Sequence, residues 1–490
     1  MRKAAIAAAA VVALAGLGAA ALPLAEEYSA RQIKAGLEQG GVATVETVEV
    51  GLLGRRVTLR NLHMKQVGEV SIGRWEAIGL SWPLAELLRG RTPLSGMRLG
   101  EPFQASHLAL KDLQIVEGGA TWSIGSFGVD DFNLVRYEVA DLGTLQFSTV
   151  AARIATALSF AKLEQTQTAY TAAGSGDRAA IRSFTVEAYD HGRVGALALA
   201  GVETTANAGA SPVFSMSEFR IKGLDLTRPL KALSSAAWRL GRPIGRIGMD
   251  QASASGFGGE GFARYGISLG SITAQTTHEG TGISRSHTRI DGFVLAPPLS
   301  GREAIQLRLG LQMMGLKEVR LTFDCTGGEN RPAGELSIDR CTLAGPDLAD
   351  INFSGKLVRA DDAFWKLVDE GDNTALLHSK AALGGARLVV ADKGLLERTI
   401  KALATTTGRT PPEMRALVAR EVRQFQPSGV LITEDLTKLL DTVARFVENG
   451  GTLTLDARPD PPVGLDKVSY LRVPGPDWVS LLGLSATLQK

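Results

Sequence analysis

Apolar residues between about Val42 and Val390 stand mostly at every second position, in stretches bounded by Gly, Asp, Asn and Pro. Successive side chains of a strand point to opposite faces, so this pattern predicts an antiparallel β body with one apolar side. One motif recurs: two alternating apolar positions, two polar or glycine residues, then two more alternating apolar positions. It occurs as Val57, Leu59, Arg60-Asn61, Leu62, Met64; as Leu108, Leu110, Lys111-Asp112, Leu113, Ile115; and as Phe127, Val129, Asp130-Asp131, Phe132, Leu134. Later copies are Phe219, Ile221, Lys222-Gly223, Leu224, Leu226 and Leu336, Ile338, Asp339-Arg340, Cys341, Leu343, with Thr288, Ile290, Asp291-Gly292, Phe293, Leu295 a weaker one. Strict alternation would send the second pair to the opposite face. An extra residue at the polar pair, a β-bulge, keeps one continuous apolar face and bends the strand. A two-residue hairpin turn is the alternative and suits Asp291-Gly292, but such short arms make weak hairpins, so bulges are preferred at most copies. Unequal gaps between copies exclude a fixed-period solenoid. The expected body is one long, curved antiparallel sheet over residues 42–393 with helical additions.

Helical spacing marks the rest. Tyr28, Ile33 and Leu37 define a short juxtamembrane helix within 26–41, ended by Gly40-Gly41. Short helices are expected at Pro83–Arg89, at Pro229–Leu240 with Thr227 as a cap, and at Asp361–Val368. Residues 151–168 fit helix and strand equally. From 394 to 490 the pattern changes to a cap of three helices: one from Gly394 to Gly408, one behind the capping box Thr410-Pro411-Pro412-Glu413, and one over Thr433–Glu448. A strand at Thr452–Asp456, a Pro-rich stretch and an amphipathic turn at Trp478–Leu482 follow.

The N-terminus adds an address. Arg2 and Lys3 precede an uncharged run from Ala4 to Ala25, and Glu26-Glu27 follow it. About 20 apolar residues cross the ~30 Å hydrocarbon core, so residues 1–25 read as a single-pass transmembrane anchor. A signal peptide cleaved near Ala19-Ala20-Ala21, giving a secreted periplasmic protein, is the alternative, and a buried Ala-rich helix is a third. The anchor is favoured because the apolar run continues past the cleavage site. It predicts an inner-membrane protein with its bulk in the periplasm.

Charge and composition narrow the function. The chain carries 53 Lys+Arg against 51 Asp+Glu. Arg2 and Lys3 supply the whole excess, so the body lacks the basic footprint that nucleic acid requires. Cys325 and Cys341 flank Thr326–Arg340, a segment rich in turn formers, and an oxidising periplasm would let them form a disulfide closing a hairpin loop. Two buried thiols are the alternative.

Motifs of chemistry are sparse. Gly256-Phe257-Gly258-Gly259-Glu260-Gly261 has the GxGxxG spacing, but Gln251–Ser255 before it does not read as a buried strand and no βαβ unit surrounds it, so it reads as a flexible glycine loop. No Walker or HExxH string occurs, and the six histidines stand singly, so neither cofactor, metal nor enzymatic activity is expected. Asp130-Asp131 and Asp361-Asp362 read as bend and helix-cap residues. Trp82-Pro83 reads as closing one end of the core, with a headgroup contact the other option.

The order of parts in residues 1–115 carries a resemblance. A basic start and apolar span lead to a short helix, then to Val42–Val50 and Gly51-Leu52-Leu53-Gly54-Arg55-Arg56-Val57-Thr58-Leu59-Arg60-Asn61-Leu62, then to Val70–Leu80 and Trp82-Pro83-Leu84-Ala85-Glu86-Leu87-Leu88-Arg89-Gly90. This resembles the N-terminal end of AsmA-like and YdgA-like bacterial inner-membrane-anchored envelope proteins. The resemblance implies an open, taco-like β-sheet with an apolar concave face, associated with phospholipid traffic and outer-membrane homeostasis. Val57, Leu59, Leu108, Leu110, Phe219, Ile221, Leu336 and Ile338 are then the candidate lining of an apolar groove, each also readable as core. The expected partners are the membrane, phospholipid and, in a second reading, a protein bound by the C-terminal helices of a non-catalytic envelope protein.

Overall fold

A computed structural model describes residues 22–65, 68–96, 98–139, 147–207, 209, 211–235, 243–426, 431–469 and 477–489. The expected span over Ala4–Ala25 therefore falls almost wholly outside the described residues. Among the described residues no helix is long and apolar enough to cross a membrane. Twenty strands belong to one antiparallel sheet, and the chain divides into two compact units, Met1–Pro212 with Lys222–Arg242, and Val213–Ile221 with Pro243–Lys490.

The first unit is a meander: β1 (Ala43–Gly51), β2 (Arg56–Lys65), β3 (Glu69–Ile78), β4 (Phe103–Glu117), β5 (Ala120–Leu134), β6 (Leu158–Thr171), β7 (Arg178–Asp190) and β8 (Arg193–Thr205). Each pairs antiparallel with the next. Helices α1 (22–38), α2 (Leu84–Leu88), α3 (Pro93–Gly96), α4 (Phe147–Ala157) and α5 (Thr227–Ser234) accompany them. The open choice at 151–168 resolves into helix up to Ala157 and strand from Leu158. Thr227 is not the cap of α5. It is the helix's first residue, and Asp225 accepts hydrogen bonds from its N–H (2.9 Å) and hydroxyl. Trp82 closes the core as expected, against Phe103 and beneath Arg91, whose guanidinium carbon lies 4.4 Å from the ring centre.

The recurring motif has a different cause here from the bulge it suggests. Asn61, Asp112 and Gln167 have φ of 51°, 55° and 53°, and Gly201 has 63°. The flanking pairs place them in one transverse row, Asn61, Gly73, Asp112, Gly125, Gln167, Arg182, Gly201, across β2 to β8 with no slip of register. A second row crosses Ser106, Asp131, Ala161, Ala188 and Gly195, with Asp131 and Ala188 both at φ 52°. A left-handed residue on every other strand turns the chain over by one side-chain step. Because neighbouring strands change step at the same row, neither carries an extra residue and the register does not shift. These rows are creases across the sheet, and they replace the predicted bulges at Arg60-Asn61, Lys111-Asp112 and Asp130-Asp131.

In the second unit true bulges appear. Its strands are β9 (Phe214–Asp225), grouped here up to Ile221, β10 (Gln251–Gly258), β11 (Ile267–Ser268), β12 (Ser271–Gly280), β13 (Ile283–Leu295), β14 (Val319–Asn330), β15 (Glu335–Ala344), β16 (Ala349–Val358), β17 (Ala382–Asp392), β18 (Thr452–Ala457), β19 (Val463–Gly464) and β20 (Leu484–Gln489). Between β13 and β14 the register shifts at Ile290/Phe293, and between β15 and β16 at Ile338/Cys341, so Asp291-Gly292 and Asp339-Arg340 each face a single partner residue. Its helices are α6 (Glu260–Tyr265), α7 (Ile305–Met313), α8 (Asp362–Glu370), α9 (Asn373–Leu376), α10 (Leu395–Thr407), α11 (Pro411–Arg423), α12 (Glu434–Asn449), α13 (Leu465–Ser469) and α14 (Trp478–Leu481). Asp361 caps α8 through the Phe364 N–H and the Thr410–Glu413 capping box opens α11, as expected, while Thr433, read as the start of a helix, is the cap of α12 through the Leu436 N–H. The strands that follow the three C-terminal helices join the sheet: β18 pairs with β17 and with β20, and β19 with β17. The GxGxxG segment likewise differs from its reading. Gly256 lies inside β10, whose residues Gln251–Ser255 pair antiparallel with β12, and Gly259 precedes a helix of six residues.

Candidate functional site

The creases have a consequence for side chains. Because both halves of each motif fall on one face, cross-strand rows of apolar residues run through the first unit. One is Val57, Ala77, Leu108, Val129, Leu163, Val186, Leu197, and another is Leu59, Trp75, Leu110, Phe127, Gln165, Phe184, Leu199, apolar except at Gln165. The opposite face carries Arg60, Arg74, Lys111, Ser126, Thr166 and Ser183 in register. On this polar side His107 faces Asp130 directly, Nδ1 to Oδ1 2.7 Å.

Burial varies along these rows. Val57 and Leu59 have no exposure and belong to a core with Ile33, Trp75, Trp82 and Leu87, against which Leu37 and Leu110 also pack. Helix α1 is fastened over this end: Ser29 donates to the Leu87 carbonyl (2.6 Å), Glu26 accepts from the Leu52 N–H and Glu38 from the Val45 N–H. The structure thus places two of the predicted lining residues under a helical plug, as core. Leu108 and Leu110 are half-buried. Beyond them the face opens toward Trp122, which is 50% exposed and lies against Tyr170 at 4.4 Å between ring centres.

The second unit repeats the arrangement. One row is Ile272, Ile290, Phe323, Leu343, Ile351, Val390, Leu453, Leu488, and the next is Ala274, Thr288, Cys325, Cys341, Phe353, Leu388, Leu455, Ala486. Cys325 and Cys341 are direct cross-strand partners joined by a disulfide, Cα to Cα 3.9 Å, on the apolar face. The turn between them is shorter than the turn formers suggest, because β14 continues through Gly327-Gly328 to Asn330 and β15 begins at Glu335. Ile338, Leu343 and Phe353 are 38%, 38% and 39% exposed. Leu453 is buried where α12 packs against β18 and β20. Of the other predicted lining residues, Phe219 and Ile221 are half-buried on β9, and Leu336 packs against the cluster of Phe364 and Trp365. The predicted residues therefore lie in separate settings, and Leu343, Phe353, Leu388 and Val390 were not among them. Their signal is alternation in Cys341-Thr342-Leu343 and Ile351-Asn352-Phe353, and an unbroken apolar run in Leu388-Val389-Val390.

The polar face of this unit is laced with ion pairs. Arg387 faces Asp456 across β17 and β18, Nε to Oδ1 2.7 Å, and the guanidinium holds the Asp456 carboxyl below the usual carboxylate range. A hollow of about 360 Å³ is lined by Gln275, Thr277, Arg285, Ser286, His287, Thr326, Gly327 and Asp339. Beside it His287 meets Asp324 at 3.0 Å. Ser286 is adjacent to His287 on β13, so its side chain takes the opposite face, and it donates to the Gly327 carbonyl instead. No serine–histidine relay forms there. Among the described residues no group of three His, Cys, Asp or Glu side chains is placed to hold a metal ion.

Residues 342–489 match a family model described only as an uncharacterized protein. That match begins at the end of β15, so it takes in β16 and β17 together with the C-terminal helices and strands. No curated protein matches the chain.

Proposed function

We propose that this is a membrane-anchored periplasmic protein that binds or conducts lipid acyl chains along the apolar face of its sheet, in the service of envelope homeostasis, and that it catalyses no reaction. The observation that carries the reading is the row through Leu343 and the row through Phe353, apolar across β12 to β20 yet more than a third exposed at those two residues and at Ile338. A soluble sheet hides such a face under helices, as α1 does at β1 to β3. An acyl chain laid on it removes apolar surface from water on both partners, worth about 25 cal/mol per Å². The charge-free run Ala4–Ala25 supplies the anchor, and the disulfide suits an oxidising compartment.

The test is lipid extraction from the full chain solubilised in a polymer belt without detergent, for the native protein and for Leu343→Asp with Phe353→Asp. The native chain is expected to carry phospholipid in excess of the double variant, with both folded by circular dichroism. Equal lipid in the two overturns the reading.

A second reading has its own observation. Phe425, Leu431 and Ile432 are 59%, 57% and 59% exposed beside α11 and α12, an apolar patch that suits a protein partner. Crosslinking that captures one partner protein, lost in Phe425→Asp with Ile432→Asp while lipid content stays unchanged, is the result this second reading requires.

A further inference from the structure

Helix α7 turns apolar side chains outward. Ile305, Leu307, Leu309 and Met313 are 38%, 40%, 50% and 39% exposed, and Leu299 in the preceding segment is 87% exposed. The cause lies in the sequence. Ile305, Leu307, Leu309, Leu311 and Met313 alternate as in a strand, and winding that pattern at about 100° per residue spreads the apolar groups around the cylinder. Leu311 turns inward with Ala304 and Leu316 on either side of it in the chain, all buried, while Ile305, Leu309 and Met313 line up along an outer stripe.

The helix is held in place from both ends. Arg308 donates to the Pro298 carbonyl, which keeps Leu299 near the helix, and Arg398 of α10 donates to the Met314 and Gly315 carbonyls, both at 3.3 Å. Basic residues exceed acidic ones around it: Arg302, Arg308, Lys317 and Arg320 against Glu303 and Glu318. The exposed set contains no aromatic anchor of the kind that dominates protein interfaces. Aliphatic and thioether side chains flanked by Arg and Lys are instead the layout of a helix lying in a bilayer interface, with its basic flank on anionic headgroups.

We infer that α7 and Leu299 form a contact with the surface of a phospholipid bilayer containing anionic lipid. This contact does not depend on acyl chains lying on the sheet, and its failure would leave that reading intact. The test uses the full chain reconstituted in vesicles of phosphatidylethanolamine and phosphatidylglycerol, with an environment-sensitive fluorophore on Leu309→Cys and, separately, on Lys366→Cys of α8, a residue 75% exposed. Lipids carrying a nitroxide on the acyl chain should quench the label at 309 at least about twofold more than the label at 366, and neutral lipid or high salt should reduce the difference. Adding Leu299→Asp should reduce it as well, with circular dichroism unchanged. Equal quenching at the two positions overturns the inference. So does a label at 309 that is shielded from aqueous iodide by a co-purifying protein in the absence of lipid.

Discussion

The crease rows make a quantitative demand on their glycines. At Gly125 an added Cβ would lie 2.4 Å from Gln167 Oε1 and 2.9 Å from Gln167 Cβ on the neighbouring strand. Gln167 sits in the left-handed region at φ 53°, which is what lays its side chain across Gly125. Overpacking of this kind costs about 1–3 kcal/mol, because only the far end of the glutamine can move away and its Cβ is fixed by the backbone. Gly125→Ala should therefore destabilise by about 2 kcal/mol. Gln167→Gly removes both the obstacle and a left-handed residue that costs roughly 1 kcal/mol, so by itself it should be neutral or slightly stabilising. In the double variant the alanine penalty should largely vanish, a coupling of about 1–2 kcal/mol. Urea unfolding of all four chains, followed by fluorescence and circular dichroism, measures each term. A neutral Gly125→Ala, or a penalty unchanged by Gln167→Gly, would refute the interlocked crease.

Three further outcomes follow from other parts of the molecule. Leu59→Ala, at a site with no exposure, should cost about 2–5 kcal/mol in urea unfolding, and Leu110→Ala, half-buried on the neighbouring part of the same row, clearly less. Asp361→Ala removes the oxygen that caps α8 at 3.0 Å from the Phe364 N–H and should cost about 1 kcal/mol, with Asp361→Asn recovering most of it. Asp456, held below its ordinary pKa by Arg387, binds protons more weakly folded than unfolded. Its stabilisation is complete above the unfolded value of about 3.9 and is lost as pH falls through the lower folded value, so Asp456→Asn should flatten the acid limb of stability against pH, measured from pH 6 downward.

Much of this molecule is legible locally, and what is not legible is governed by partners remote in sequence. The capping box at Thr410, the cap residues Asp361 and Thr433 and the break at Gly408 are short-range hydrogen-bonding devices, and the helices they bound appear where they predict. The paired-alternation motif reveals a continuous apolar face, because that property depends only on which side chains fall on one side. Whether the phase change is a bulge or a crease depends on the neighbouring strand. Asp339-Arg340 faces a strand that does not change step there, and a residue is left over; Asp112 stands between Gly73 and Gly125, which do, and nothing is left over. Helix α7 was hidden because its alternation is that of a strand, and Gly327-Gly328 read as a turn although both are paired within β14. For the candidate site, the apolar lining was readable as a residue type, but which members are core was not. Val57 and Leu59 become core only through α1 and α2, elements whose packing no spacing along β2 announces.

The central claim is that lipid lies on the apolar face, and a photoreactive residue tests it most directly. Phe353 and Asn352 are neighbours on β16 and point to opposite faces of the sheet. With p-benzoylphenylalanine introduced at 353 in the full chain and irradiated in intact cells, the account predicts a mass increase equal to a phospholipid, and none with the same group at 352. Absence of a lipid adduct at 353, or equal adducts at both positions, would contradict it.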